Sequence, residues 1–213
     1  MPHLGGLVLA ALGATWLPVF VGPLLIVAYL TGSVIGWIGR ADEDGVRSYS
    51  NALIAFEAAQ ALLIATLTWW LIEFISPPTS ASAIGFLSSQ VLTQWQSAAL
   101  WAGAAAVTGQ SYPLLGRWRG NSGIPAAGAL VAVYAPTVLV AAVAGFGAGY
   151  LVTASTRQSV VGAFGGAVGF AWIAWSLEIE SGWGVHNGPE LALWVTVVAA
   201  VLYSRWRHPA TRP

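Results

Sequence analysis

The chain has 213 residues, 57% of them hydrophobic and only 8% charged, with eight basic side chains balancing eight acidic ones and no cysteine. Soluble domains carry roughly a quarter charged residues, so a soluble globule is excluded, and without thiols so are disulfides and thiolate chemistry. Zero net charge leaves no electrostatic footprint for nucleic acid.

Several apolar runs reach the ~20 residues that cross a bilayer, and none alternates in the manner of a barrel strand. The expected fold is therefore all-α: a polytopic helical membrane protein with about seven transmembrane helices and a short extra N-terminal helix. Twelve tryptophans suit the interfacial belts of such a protein. Residues 1–18 read as an N-terminal apolar extension and 19–213 as the membrane domain. Residues 4–16 are expected to form the extra helix, lying in the outer interface before the breaks at Pro18 and Pro23. No basic n-region precedes it, so a cleaved signal peptide is not expected.

The first crossing is "VFVGPLLIVAYLTGSVIGWIG", ending at Arg40, and the second is "NALIAFEAAQALLIATLTWWLIEFI", ending before Ser76-Pro77-Pro78. A third runs from about Val91 to Thr108 and empties into "GQSYPLLGRWRGNSG", Gly109 to Gly123. The run from Ile124 to Val152 is too long for one crossing and holds Pro136 near its middle. Two short helices turning near Pro136, or one bent helix, account for it. Two more spans cover Ser159–Leu177 and Pro189–Tyr203.

The charges orient these spans. All eight basic residues are arginines: Arg40, Arg47, Arg117, Arg119, Arg157, Arg205, Arg207 and Arg212. Seven spans with a hairpin at Pro136 put every one of them on a single side, whereas one crossing there would divide them. The opposite connections, 76–90 and 177–190, hold Glu178, Glu180 and Glu190 but no arginine. The positive-inside rule then predicts a cytoplasmic C-terminus and an outer N-terminus in the cell inner (plasma) membrane.

The loop at 109–123 accordingly faces the cytoplasm with two arginines, four glycines and no acid. The plain reading is that its arginines set topology and meet anionic lipid heads. The glycines add another. Gly116, Gly120 and Gly123 permit positive φ and bare backbone N–H groups, which together with arginine can wrap a phosphate.

Four places in the chain together resemble one family, the bacterial membrane glycerol-3-phosphate acyltransferases that use acyl phosphate (the PlsY family). "AYLTGSVIGWIGR" followed by "DGVRSYSN" is similar to that family's opening motif. The 109–123 loop aligns without a gap on its Gly-His-x-Phe-Pro…Gly-Gly-Lys-Gly loop. "TRQSVVG" and "RHPAT" stand where the family has its Arg-Tyr-x-Ser-Leu and Arg-His-x-Glu-Asn segments. The resemblance spans about residues 19–212 in order, and each motif by itself is degenerate.

It implies transfer of an acyl group from acyl phosphate to glycerol 3-phosphate within the lipid bilayer, giving lysophosphatidate for phospholipid synthesis, with no cofactor and no metal. Carried over residue by residue, it names Ser33 and His208 for catalysis. Arg47, Asn51, Arg119, Gly120, Asn121, Ser122 and Gly123 are named for binding substrate phosphate. Arginine suits that work through its planar, charge-assisted fork. Because acyl phosphate is already a good electrophile, positioning can supply much of the rate. His208 is the obvious general base. Ser33 also reads as a helix-packing serine beside Gly32, and His208 as a solvated tail residue.

Besides an "SYSN" segment, ending at Asn51, that is shorter than the family's Gly-Ser-Gly-Asn region, the chain departs from the family at four points. The loop histidine is Gln110, the loop lysine is Ser122, the tail acid is Ala210 and the tail Asn is Thr211; no lysine occurs anywhere. A phosphate short of one partner costs about 1–3 kcal/mol. The alternative is therefore a catalytically inactive relative, kept as a structural or interaction subunit beside an unidentified membrane partner.

Other features weigh less. Glu57 and Gln60 share one face of the second span, and snorkelling or pairing with Arg47 explains the acid cheaply. Glu178, Glu180 and His186 match no specific metal-ligand spacing. Glycines at 145, 147, 149, 162, 165, 166 and 169 suit close helix packing. With no internal repeat and one intramembrane acid, a transporter gains little support.

Overall fold

Inside a bilayer every backbone N–H and C=O must find its partner within the chain, and helices achieve this segment by segment. The computed structural model describes residues 21–38, 51–75, 94–114, 120–180 and 184–207, and among them the regular structure is helical throughout. The helices are α1 (Val21–Ile38), α2 (Asn51–Ile75), α3 (Gln94–Ser111), α4 (Ile124–Tyr134), α5 (Pro136–Thr153), α6 (Thr156–Ser176) and α7 (Pro189–Arg207). Segments Asn51–Phe74, Pro136–Thr153 and Thr156–Ser176 are long and apolar enough to cross a membrane. Their outward side chains are apolar too: Phe74, Leu151 and Val152 are 80%, 87% and 84% exposed, an arrangement suited to lipid. The chain is an all-α, polytopic helical membrane protein. The predicted helix at 4–16 and the 76–90 connection lie outside the described residues.

Helix α3 is the centre of the bundle. It is rich in alanine and glycine, and its side chains from Ser97 to Ser111 are all buried. Small residues let neighbouring backbones close in, which in lipid replaces the hydrophobic drive between helices. Helix α1 lies parallel to α3 through such a contact. A Cβ added at Gly32 would run into the Ala106 carbonyl, and one at Gly36 into the Gln110 carbonyl. One at Gly109 would meet the Tyr29 carbonyl and stand 2.8 Å from the Ser33 nitrogen.

Helix α2 packs antiparallel to α3, with the Trp69 and Trp95 rings 5.7 Å apart at one end and Glu57 beside Gln110 at the other. Helix α7 runs parallel to α3. Trp194 Nε1 donates to the Leu100 carbonyl at 2.7 Å, and buried Glu190 accepts from Ser97 Oγ and from Trp101 Nε1.

The run through Pro136 is a hairpin. Helix α4 begins beside Arg205 and ends where the Tyr134 carbonyl accepts from Val185 N at 2.8 Å, at the opposite end of the bundle. Ala135 leaves helical geometry at φ −144 and ψ 61, and Pro136, which has no N–H to lose, opens α5. Helix α5 then returns, because α6 starts with Arg157 lying 5.5 Å over the Trp206 ring near the end of α7. Helices α5 and α6 pack through Gly145, Gly149, Gly162 and Gly166, where added side chains would strike the facing backbone. Gly147, Gly165 and Gly169 face open space instead.

Charge follows this layout. Among the described residues, Arg157, Arg205 and Arg207 gather at one end, while Glu73, Glu178, Glu180 and Glu190 belong to the other. Boundaries differ from the sequence reading in several places, and α6 opens at Thr156 rather than Ser159. Helix α3 continues to Ser111 rather than ending at Thr108: Tyr112 N still donates to Thr108 O at 2.8 Å, and the helix stops only where Pro113 has no N–H to give. Helix α7 runs on to Arg207, a further turn beyond Tyr203, and that turn carries Arg205.

Candidate functional site

The arginine end of the bundle is closed by residues 120–123, which fold back onto the last turn of α3. Asn121 N donates to the Gln110 carbonyl at 2.9 Å, giving a partner to one of the acceptors that a helix C-terminus leaves open. Ser111 Oγ reaches the Ser122 carbonyl at 3.5 Å, and Ile124 N reaches Ser122 Oγ at 3.4 Å. Gly123 has φ +68, and a Cβ there would collide with Ser111 Oγ, so the turn into α4 requires glycine on both counts. Gly120 likewise presses its bare Cα onto Gln110 and Pro113.

Beneath this strip lies a polar layer whose centre is buried and whose far end, at Gln60 and Thr31, reaches the surface of the bundle. Glu57, Gln110 and Asn121 are each 0% exposed. The Asn121 side-chain amide donates to Glu57 Oε1. Gln110 Nε2 donates both to the Glu57 carbonyl at 3.1 Å and to Gln60 Oε1 at 2.6 Å. Gln60 Nε2 then reaches Thr31 Oγ1 at 3.3 Å, so one hydrogen-bonded run links α1, α2, α3 and the strip. Above it, Arg205 Nε donates to the Asn121 carbonyl at 3.4 Å and its Nη2 to the Gly120 carbonyl. Tyr112 is held at the same end, accepting from Tyr29 OH on its carbonyl at 3.0 Å and donating from its own hydroxyl to Ser204 Oγ at 2.9 Å. Asn121 is thereby gripped on two sides, its side chain by a buried carboxylate and its carbonyl by a guanidinium. The guanidinium bonds, being charge-assisted, hold the backbone more firmly than neutral ones would.

The sequence-predicted residues can be placed against this geometry. Gly120, Asn121 and Gly123 are buried in the strip and Ser122 is half-buried among them. Ser33 is 1% exposed at the α1–α3 contact, its Oγ donating to the Tyr29 carbonyl at 2.8 Å. Asn51 opens α2 at the same end and is exposed. Arg47, Arg119 and His208 lie outside the described residues. Glu57 does not snorkel: it is fully enclosed and bonded to Asn121. Sequence reasoning treated Arg205 as a topology charge alone and Gln110 as a lost histidine. The pairing of Glu57 with Gln60 on one helix face was the available signal for the buried layer.

Chemically, the strip brings the half-buried Ser122 hydroxyl beside the Arg205 guanidinium at the arginine end of a membrane bundle, groups of the kind that meet an anion, while the Asn121 N–H is already held by Gln110. No group of His, Asp and Glu able to hold a metal ion occurs among the described residues.

Comparison of the sequence with protein-family models and with curated proteins yields no match. Solved structures do match. The chain is similar to crystal structures of PlsY (YgiH), an integral membrane glycerol 3-phosphate acyltransferase. The lysophosphatidic acid form superposes with a TM-score of 0.56 at 18% identity, covering 88% of each chain. The glycerol 3-phosphate form superposes with a TM-score of 0.54 at 19% identity, again over 88% of each chain. At these identities the likeness shows the fold: the chain has a PlsY-like architecture.

Proposed function

We propose that the protein is a membrane acyltransferase that moves an acyl group from acyl phosphate to the 1-hydroxyl of glycerol 3-phosphate, on the cytoplasmic face of the inner (plasma) membrane. The observation that carries this reading is the strip at 120–123. It closes the arginine end of a bundle whose fold is that of an integral membrane glycerol 3-phosphate acyltransferase, with the half-buried Ser122 hydroxyl and the Arg205 guanidinium beside it.

In the proposed reaction the glycerol oxygen bonds the acyl carbon, the acyl–phosphate C–O bond breaks, and the hydroxyl proton passes to His208 or to the departing phosphate. The products are lysophosphatidate and inorganic phosphate. Arg47 and Arg119 are the proposed clamps, with the backbone N–H groups of Gly120, Ser122 and Gly123 and the Ser122 hydroxyl beside them; Asn121, whose N–H and amide turn inward to Gln110 and Glu57, holds the strip in shape instead of meeting the phosphate. Asn51 borders the same end, and Ser33 is the proposed contact to the acyl phosphate. Its hydroxyl would have to exchange the Tyr29 carbonyl for that ligand. Such positioning supplies rate by holding the reactants in line, on the order of several kcal/mol.

A second reading rests on Gln110 and Ser122, which stand where the resemblance expects histidine and lysine. It is a chain that keeps the fold as a membrane subunit without turnover. Purified protein given acyl phosphate and glycerol 3-phosphate separates the two, with lysophosphatidate detected by mass. Turnover that collapses in Arg47→Ala and Arg119→Ala supports the enzyme and its clamps. Turnover that survives both removes the clamps, and no turnover from well-folded protein favours the subunit.

A further inference from the structure

At the arginine end of the bundle, side chains from α6 and α7 form a column along the seam between the two helices. Phe164 packs edge-on against Tyr203 with ring centroids 6.2 Å apart, and Tyr203 lies 5.7 Å from Trp206. The Arg157 guanidinium tops the column, 5.5 Å over the Trp206 ring. The three rings are half-buried and Arg157 is exposed, so the column is part of the bundle's surface. Arg157 and Phe164 are two turns apart on α6, a rise of about 10 Å, enough to lead from headgroup level into hydrocarbon.

Polarity changes in one direction along this column. Phe164 is deepest, Tyr203 and Trp206 follow with rings that favour the membrane boundary, and a cation stands at the top. Leu151 and Val152, which end α5 just before Arg157, are exposed, so lipid tails reach the level of the guanidinium. Charge favours an anion there. Among the described residues the one acid at this end, Glu57, is enclosed beneath the 120–123 strip, and Asp42, Glu43 and Asp44 belong to the α1–α2 connection.

We propose that this seam seats one anionic phospholipid, its phosphate on Arg157 and an acyl chain laid along Trp206, Tyr203 and Phe164. A cation over a ring is held there through its charge, which leaves its planar N–H fork for phosphate oxygens. Basic groups between membrane helices recognise lipid headgroups in this manner. A soluble phosphate would meet the cation but leave the rings uncovered, whereas a lipid matches both ends of the column. The bound lipid ties α6 to α7. The seat is independent of the acyltransferase reading, which assigns no role to Arg157.

The test is titration of the full-length protein in detergent with phosphatidylglycerol and with phosphatidylcholine of the same chains, bound lipid being counted by native mass spectrometry. The parent should bind one phosphatidylglycerol about tenfold or more tighter than phosphatidylcholine, the difference a charged hydrogen bond supplies. Arg157→Gln should reduce that preference to within about threefold. Arg207→Gln removes the same charge from an exposed position on the neighbouring turn and should cost less than about threefold. Trp206→Leu keeps both arginines and should weaken binding about threefold or more. Equal losses in Arg157→Gln and Arg207→Gln would assign the binding to diffuse charge and overturn the seat, as would a parent without preference. Displacement of the lipid by millimolar inorganic phosphate would make this a site for a soluble anion, and would overturn it too. Where Arg157→Gln does not fold, Arg157→Lys carries the test. It keeps the charge without the fork and should weaken binding about threefold or more, and unchanged affinity overturns the proposal.

A parent that binds the lipid but transfers no acyl group would sink the proposed reaction alone. One that turns over without preferring phosphatidylglycerol would sink the seat alone.

Discussion

Asn121→Ala removes one side-chain amide from the grip on the strip and leaves the rest in place. The Asn121 N–H still reaches Gln110 O, and Arg205 still has the residue 121 carbonyl, since both are backbone contacts. What disappears is the donor on Glu57 Oε1, at a site where both residues are 0% exposed and water cannot step in without rearrangement. Removing one partner and leaving a buried acceptor unsatisfied costs about 1–3 kcal/mol. At about 2–4 °C per kcal/mol for a chain of this size, the unfolding temperature should fall by roughly 2–12 °C. The assay is thermal unfolding of the purified protein in detergent, followed by intrinsic fluorescence from its twelve tryptophans.

A double-mutant cycle sharpens the result. Glu57→Leu alone strands the side-chain amide of Asn121, while Gln110 keeps the residue 57 backbone carbonyl; Glu57→Leu with Asn121→Ala removes acceptor and donor together. The pair should therefore cost less than the sum of the singles by about 1–3 kcal/mol. An Asn121→Ala protein within about 0.5 kcal/mol of the parent, or a strictly additive cycle, would refute the reasoning, because such a shift is that of an ordinary surface substitution.

Other predictions follow from the packing. Gly109→Ala drives a methyl into the Tyr29 carbonyl and to 2.8 Å from the Ser33 nitrogen, so α1 and α3 must part; unfolding should come earlier by about 1–3 kcal/mol or more. Gly165→Ala, at a position facing open space in the same kind of helix, should be neutral or slightly stabilising and serves as the control. Glu190→Ala strips the acceptor from Ser97 Oγ and Trp101 Nε1 and should cost about 2–4 kcal/mol, while Glu190→Gln, which keeps an acceptor, should cost clearly less. The chain has no cysteine, so single cysteines report topology cleanly. Cysteine at Ser155 should react with an impermeant maleimide only from the cytoplasmic side and cysteine at Glu180 only from outside, and the reverse pattern would invert the orientation argued from the arginines.

Much of this architecture follows from the sequence alone because a bilayer imposes local rules. Backbone saturation dictates helices, hydrocarbon thickness dictates their lengths, and the cost of moving arginine across lipid gathers Arg157, Arg205 and Arg207 at one end. The hairpin at Pro136 was legible for the same reason, since any other path would have split the charges. Which face of each helix looks inward was not legible. Lipid and protein interior are both apolar here, so the pattern that orients a helix in water is nearly silent. Gly145 packs against Gly162 while Gly147 faces open space, and composition does not separate them. Glu57 could be seen as an intramembrane acid, yet its bond to Asn121 joins residues far apart in the chain, as does the reach of Arg205 to Gly120. Only the closing of α1, α2, α3 and α7 around a common end turns those separate polar residues into one layer, because their partners exist only once the helices have packed.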